Sequence, residues 1–230
     1  MKYEFDIAHC QVCLYVPEAE GSFPVIWLPC QKSQGENVFA LLQQKCVLAC
    51  VTGMNWNDDL SPWPAPRLFA SSQDFGGKAS AFLSLLSHHI LPAMEAQLSF
   101  SVDARGIAGY SMAGLFALYS IYHTDLFSSV ASVSGSLWFD GWVEYALSHS
   151  FSVSSPYLYL SLGQKEHRTR NARMARVKRC TQALADAWQT PLILHPGGHF
   201  QDPELRLAQG IDALTLYLSS QQKRSTAAPF

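Results

Sequence analysis

The 230-residue chain is 48% hydrophobic and only 15% charged. That is enough apolar surface to bury a core and too little charge for a disordered polypeptide, so a single domain spanning 1–230 is expected. Sixteen Lys and Arg against eighteen Asp and Glu leave a formal charge of −2, which offers no basic field for the phosphates of a nucleic acid.

Met1 to Cys10 reads MKYEFDIAHC, with Glu4 and Asp6 interrupting any apolar run, and no later stretch reaches the ~18 apolar residues of a membrane span. Neither an export signal nor a membrane anchor is expected. Without one, the six cysteines (Cys10, Cys13, Cys30, Cys46, Cys50 and Cys180) are read as reduced thiols in a cytoplasmic protein.

In chain order, short apolar runs ending in Gly, Pro or Asn alternate with segments of helical period. The first candidate strand, Cys10 to Val16, contains a C-x-x-C that reads as strand, since no second pair and no helix follows it. Strands are next expected over Phe23 to Leu28 and Cys46 to Thr52. Thr52 to Gly76 is irregular, with Pro62, Pro64 and Pro66 among Trp56, Trp63 and Phe69. A loop that long either serves a site or is packed rigidly by its own aromatics, and this one would leave the edge where open parallel sheets bind ligands.

Gly77 to Leu98 carries Phe82, Leu85, Leu86, His89 and Ile90 at helical spacing. A strand over Arg105 to Tyr110 and a helix over Ser111 to His123 follow, then strands over Ser128 to Val133 and Pro156 to Leu162. Met174, Val177, Leu184 and Trp188 line another helix, Pro191 to His195 is the last strand, and Leu205, Ala208, Ile211 and Leu214 to Leu218 mark a final helix. The tail from Ser219 to Phe230 is expected to fray. Several strands lack polar alternation, which suits a mostly parallel central sheet covered by helices on both faces, an α/β architecture.

The most informative string is Gly106-Ile-Ala-Gly109-Tyr-Ser111-Met-Ala-Gly114, at a strand-to-helix junction. A serine on such a sharp turn needs small residues two positions to either side, where the backbones crowd, and Gly109 and Ala113 meet that need. Its hydroxyl is a weak nucleophile, so the reading requires a histidine base and an orienting carboxylate, in chain order Ser, acid, His.

His199, in His195-Pro-Gly-Gly-His199-Phe200 after the last strand, is the best-placed base. His195 is read as structural, and His88, His89, His123 and His149 fall on or beside helices without a metal-binding pattern. For the acid, Glu166 follows the strand ending at Gly163 and is favoured, with Asp140 the alternative. The oxyanion formed on attack needs two backbone N–H donors. Met112, after the serine, is one. Pro29 has no N–H, so Cys30 or Gln31 is the other.

With these residues assembled, the chain resembles the putative esterase family of α/β-hydrolases, which includes the ferric-siderophore esterases. The carriers are Pro24-Val-Ile-Trp-Leu28, Trp56-Asn-Asp-Asp-Leu-Ser-Pro-Trp63, Ile107-Ala-Gly-Tyr-Ser-Met-Ala-Gly114, Leu160-Ser-Leu-Gly-Gln-Lys-Glu166 and Gly197-Gly-His-Phe200. The resemblance implies an α/β-hydrolase fold with little lid, serine-dependent cleavage of a small-molecule carboxylic ester, and Ser111, His199 and Glu166 as nucleophile, base and acid. It implies no metal or other cofactor.

Trp56, Asp59 and Trp63 of the long loop, with Arg168 and Arg170 beside the acid, are the candidate substrate contacts. Those arginines belong to a basic cluster with Lys165, Arg173, Arg176, Lys178 and Arg179, which would attract an anionic ester or simply form a solvated helix face. Pro29-Cys30-Gln31 stands where many relatives read L-x-D-G, which marks the oxyanion loop as a departure. Acyl transfer with the same triad, and a non-catalytic binding protein of this fold, are the alternatives.

Overall fold

A computed structural model describes the backbone of residues 1–227 and the side chains through Arg224. Eight strands form one sheet: β1 (Lys2–Ile7), β2 (Cys10–Tyr15), β3 (Val25–Pro29), β4 (Val47–Thr52) and, after the small ladder of β5 (Pro64–Ala65) and β6 (Phe75–Gly76), β7 (Arg105–Tyr110), β8 (Ser129–Val133), β9 (Tyr157–Gly163) and β10 (Leu192–His195). Their order across the sheet is β1-β2-β4-β3-β7-β8-β9-β10. β1 and β2 run antiparallel at one edge; all pairings from β3–β4 to β9–β10 are parallel.

β3 and β8 are buried along their whole length, which is why they lack polar alternation: helices cover both faces. On one face Ile26, Leu28, Leu48, Ala108, Ala131 and Val133 pack against α1 (Gln34–Leu41) and the last helix, α7 (Pro203–Ala227). On the other, Val25, Trp27, Ala49, Ile107 and Leu160 meet α2 (Ala79–Leu85), α3 (Leu91–Glu95), α4 (Met112–His123), α5 (Trp142–Ser148) and α6 (Val177–Ala187).

Three expectations need correcting. β1 was not anticipated: its residues alternate between exposed and half-buried, with Lys2, Glu4 and Asp6 on the open side of an edge strand, a charged edge of the kind that blocks further pairing. The helix expected over Gly77 to Leu98 is two α-helical pieces joined by a π turn, Leu86–Ile90. Pro92, without an N–H, interrupts the α ladder just beyond it. The tail expected to fray from Ser219 instead continues α7 as far as Ala227, because the turns held by buried Leu207, Ile211, Leu214 and Leu218 let the helix propagate cheaply; residues 228–230 lie outside the described residues. The short α1 and α5 carry too few turns for a periodic signal.

Cys10 and Cys13 lie on β2, pairing across to β1 and β4. Burial pushes the Cys10 thiol up to about 11 and raises that of Cys13, opposite to what a redox C-x-x-C requires. No helix among the described residues is long and apolar enough to cross a membrane.

Candidate active site

The parallel strands present their carboxyl ends along one rim, so residues far apart in sequence become neighbours at the spacing of adjacent strands, roughly 5 Å. Ser111 follows β7, Ser134 follows β8, Glu166 lies just past β9 and His199 just past β10. These four strands are consecutive in the sheet.

Ser111 stands alone between β7 and α4 with φ 59° and ψ −120°, a conformation that non-glycine residues occupy only under constraint. Its N–H donates to the Val133 carbonyl at 3.2 Å and its carbonyl accepts from Ser136 N–H at 3.0 Å, which ties the turn to the loop after β8. Gly109 is required for this packing: a Cβ there would collide with the Ala113 carbonyl. Ala113 is itself fully buried.

His199 Nε2 is 3.2 Å from Ser111 Oγ, and its Nδ1 is 2.8 Å from Glu166 Oε2. Tyr110 holds the histidine from behind, its hydroxyl donating to the His199 carbonyl. Asp140 is not in this array. It pairs with Arg173 and Arg176, each at 2.7 Å, so of the two carboxylates weighed from sequence only Glu166 is beside the imidazole.

The Glu166 side chain is 2% exposed. Its second oxygen accepts from the Gly163 N–H at 2.6 Å, from Ser134 Oγ at 2.7 Å and from Arg206 Nη1 at 3.3 Å. Burial alone would raise its pKa; the hydrogen bonds from His199, Ser134 and Gly163 outweigh that and hold the carboxyl below its ordinary value. Gly163 must be glycine, since a Cβ would come within 2.8 Å of the carboxylate it serves.

Arg206 went unnoticed in the sequence. It lies in the first turn of α7, is 2% exposed, and also donates to the Pro196 carbonyl at 2.7 Å. A cation at an otherwise apolar helical position was the available signal. His195 ends β10 as expected, and burial lowers its pKa, with the nearby Arg206 charge acting the same way.

A cavity of about 450 Å³ opens over Ser111, lined by Trp56, Leu68, Phe75, Trp138, Met174 and Val177, together with Gln31, Met112 and Phe200. The loop between β4 and α2 thus forms one wall of the site. Of the residues singled out in it, Trp56 reaches the cavity and the other two do not. Trp63 turns inward, donating to the Asp140 carbonyl at 2.9 Å and packing on Phe139, Trp142 and Tyr145. Asp59 accepts from the Asn55 N–H at 2.8 Å and faces His9 at 3.4 Å. Trp63 thus anchors the loop to the segment around α5, and Asp59 holds the loop's own turn.

Arg168 and Arg170 are exposed and outside the lining. They follow the turn after β9, which directs Glu166 inward and the basic side chains outward. Of the two oxyanion candidates, the Cys30 N–H is already donated to the Val51 carbonyl at 2.9 Å, whereas Gln31 lines the cavity with Met112. Among the described residues no group of three or more His, Cys, Asp or Glu side chains is arranged to hold a metal ion.

The architecture matches solved serine hydrolases. An IroE-like serine hydrolase from Shewanella oneidensis superposes with a TM-score of 0.75 at 19% identity, covering 96% of this chain and 84% of that one. The siderophore hydrolase EstA from Aspergillus nidulans gives 0.66 at 17%, over 94% of each chain. In sequence, the uncharacterised protein YbbA of Bacillus subtilis strain 168 is 26% identical over 174 residues, 69% of this chain and 70% of its own. The model of the family named Putative esterase matches residues 31–201, from the Gln31 loop to just beyond His199, and the chain belongs to that family of ester hydrolases.

Proposed function

We propose that the protein, folded as one domain, hydrolyses small-molecule carboxylic esters through an acyl-enzyme on Ser111. The observation that carries this reading is the relay Ser111 Oγ, His199, Glu166 at 3.2 and 2.8 Å, on a serine turn held in a strained conformation. His199 Nε2 takes the hydroxyl proton as Ser111 Oγ attacks the acyl carbon. The tetrahedral oxyanion is met by the N–H of Met112, at the amino end of α4, and that of Gln31; one such donor is worth roughly 3 to 4 kcal/mol in a transition state.

Collapse breaks the ester C–O bond, and the imidazolium returns its proton to the departing alcohol. Water, deprotonated by the same imidazole, then attacks the acyl-enzyme and releases the acid. Glu166 keeps Nδ1 protonated and offsets the imidazolium charge. Six unpaired cysteines suit a reducing compartment, and the cytoplasm is the proposed location.

A fluorophosphonate probe is expected to label Ser111 in the folded protein, and 4-nitrophenyl esters of short acids to be hydrolysed, with Ser111→Ala abolishing both. A folded preparation that is neither labelled nor active sinks the reading in favour of a binding protein. A siderophore lactone is included among the substrates tested, on the strength of the neighbours named as siderophore hydrolases. Product analysis with an added alcohol or thiol separates hydrolysis from acyl transfer.

A further inference from the structure

The lining of the cavity above Ser111 carries a charge pattern that the serine chemistry does not require. One wall is apolar and comes from three separate parts of the chain: Leu68 and Phe75 from the β4–α2 loop, Trp138 from the segment before α5, and Met174 and Val177 at the start of α6. Among the described residues, the carboxylates lining the cavity are Glu166 and Glu204, and no Lys or Arg lines it. Glu166 is committed to His199, Ser134, Gly163 and Arg206. Glu204, half-buried in the first turn of α7, adds a negative charge at the rim.

Arg173 and Arg176 of the basic cluster lie outside the lining and share one carboxylate, which leaves one positive charge unmatched behind the aromatic wall. Arg173 lies over the rings of Phe75 and Trp138, 5.9 and 5.7 Å from their centroids, and is held by Asp140 at 2.7 Å and the Pro66 carbonyl at 2.6 Å. Arg176 shares the same carboxylate. Lys32 lines an adjoining hollow beside Asp6 and His9, which meets the cavity at Gln31 and Trp56. A substrate carboxylate entering the cavity would lose water and find no Lys or Arg among the described lining residues to pair with directly, while meeting Glu204 at the rim.

We infer that the ester this cavity accepts is uncharged, its acyl part apolar or aromatic and packed against the Phe75, Trp138 and Met174 wall. The inference rests on the serine-esterase reading above and narrows it to a substrate class. A cavity of about 450 Å³ is large enough to enclose both the acyl and the alcohol part of a small ester, so a negative charge on either meets the same lining. Anionic esters, including any chelate that carries net negative charge, are disfavoured by the same electrostatics.

The test compares two esters of the same size and leaving group, 4-nitrophenyl 4-carbamoylbenzoate and 4-nitrophenyl 4-carboxybenzoate, with the full-length enzyme at neutral pH. The neutral amide is expected to be favoured in kcat/KM on the order of 100-fold, the scale set by burying an unpaired charge. In Glu204→Lys, checked for folding by circular dichroism and for site integrity by fluorophosphonate labelling, that ratio is expected to fall about tenfold or more as a cation enters the lining. Equal rates for the two esters in the wild type, a preference for the carboxylate, or a ratio that Glu204→Lys leaves unmoved would each overturn the inference while leaving the esterase reading intact. No turnover of either ester together with no labelling would instead overturn the esterase reading.

Discussion

Arg206 Nη1 lies 3.3 Å from Glu166 Oε1, and both side chains are 2% exposed. The carboxylate that faces His199 is therefore half of a buried ion pair whose cation comes from α7, the helix that follows the histidine loop. The guanidinium also reaches the Pro196 carbonyl, so one side chain fixes both Glu166 and the loop that carries His199.

Removing that cation strands a buried carboxylate. Arg206→Met is expected to cost about 3 to 5 kcal/mol of stability, measured as a shift in the urea midpoint, with Arg206→Lys recovering part of it. In the surviving folded fraction, the acidic limb of the kcat/KM profile should move to higher pH, because Glu166 without its guanidinium binds a proton more readily. A stability loss with an unmoved profile would limit Arg206 to a packing role.

The pH dependence of stability follows from the lowered Glu166 pKa. The folded carboxyl binds its proton less readily than the unfolded one, whose ordinary value is 4.5. The stabilisation is thus complete above that value and is lost as pH falls from there through the lower folded value. Urea unfolding from neutral pH down to about pH 3 should show this decline, and Glu166→Gln should flatten it while destabilising the protein near neutrality.

Strain at Ser111 can be read by comparing two variants that both lack the hydroxyl. At φ 59° and ψ −120°, Ser111→Gly relieves a backbone constraint that Ser111→Ala retains. Both are expected to be inactive, with the glycine variant more stable by about 1 to 3 kcal/mol. Equal thermal midpoints for the two would show that the turn holds no strain.

Close approach at the same turn gives an opposite expectation for Gly109. A Cβ there meets the main-chain carbonyl of Ala113 rather than a side chain that could swing aside, so Gly109→Ala is expected to cost about 3 kcal/mol. Ala113→Gly restores the strict G-x-S-x-G spacing and should leave activity nearly unchanged. Denaturation of the first variant and ester turnover by the second check the pair.

The seven anticipated strands all occur, because buried parallel strands are continuous apolar runs ended by turn residues and so announce themselves locally. β1 did not, since an edge strand mixes charged and half-buried residues over six positions. At the site, Ser111, Glu166 and His199 were legible because each sits in a short string whose glycines serve its turn. Trp63 and Asp59 misled: a tryptophan in a loop looks the same in sequence whether it faces a ligand or, as here, packs on Trp142 and Tyr145.

Residue types and their spacing along the chain were enough to specify the alternation of strand and helix, the serine turn and the glycine-bearing strings that carry Glu166 and His199, since each depends on contacts within a few residues. The pairing of Asp140 with Arg173 and Arg176 away from the imidazole, the commitment of the Cys30 N–H to Val51, the burial of Arg206 and the apolar wall of the cavity were decided only by tertiary packing. Each depends on which strand ends adjoin across the sheet and which side of a loop faces inward, and those are set by long-range burial and pairing.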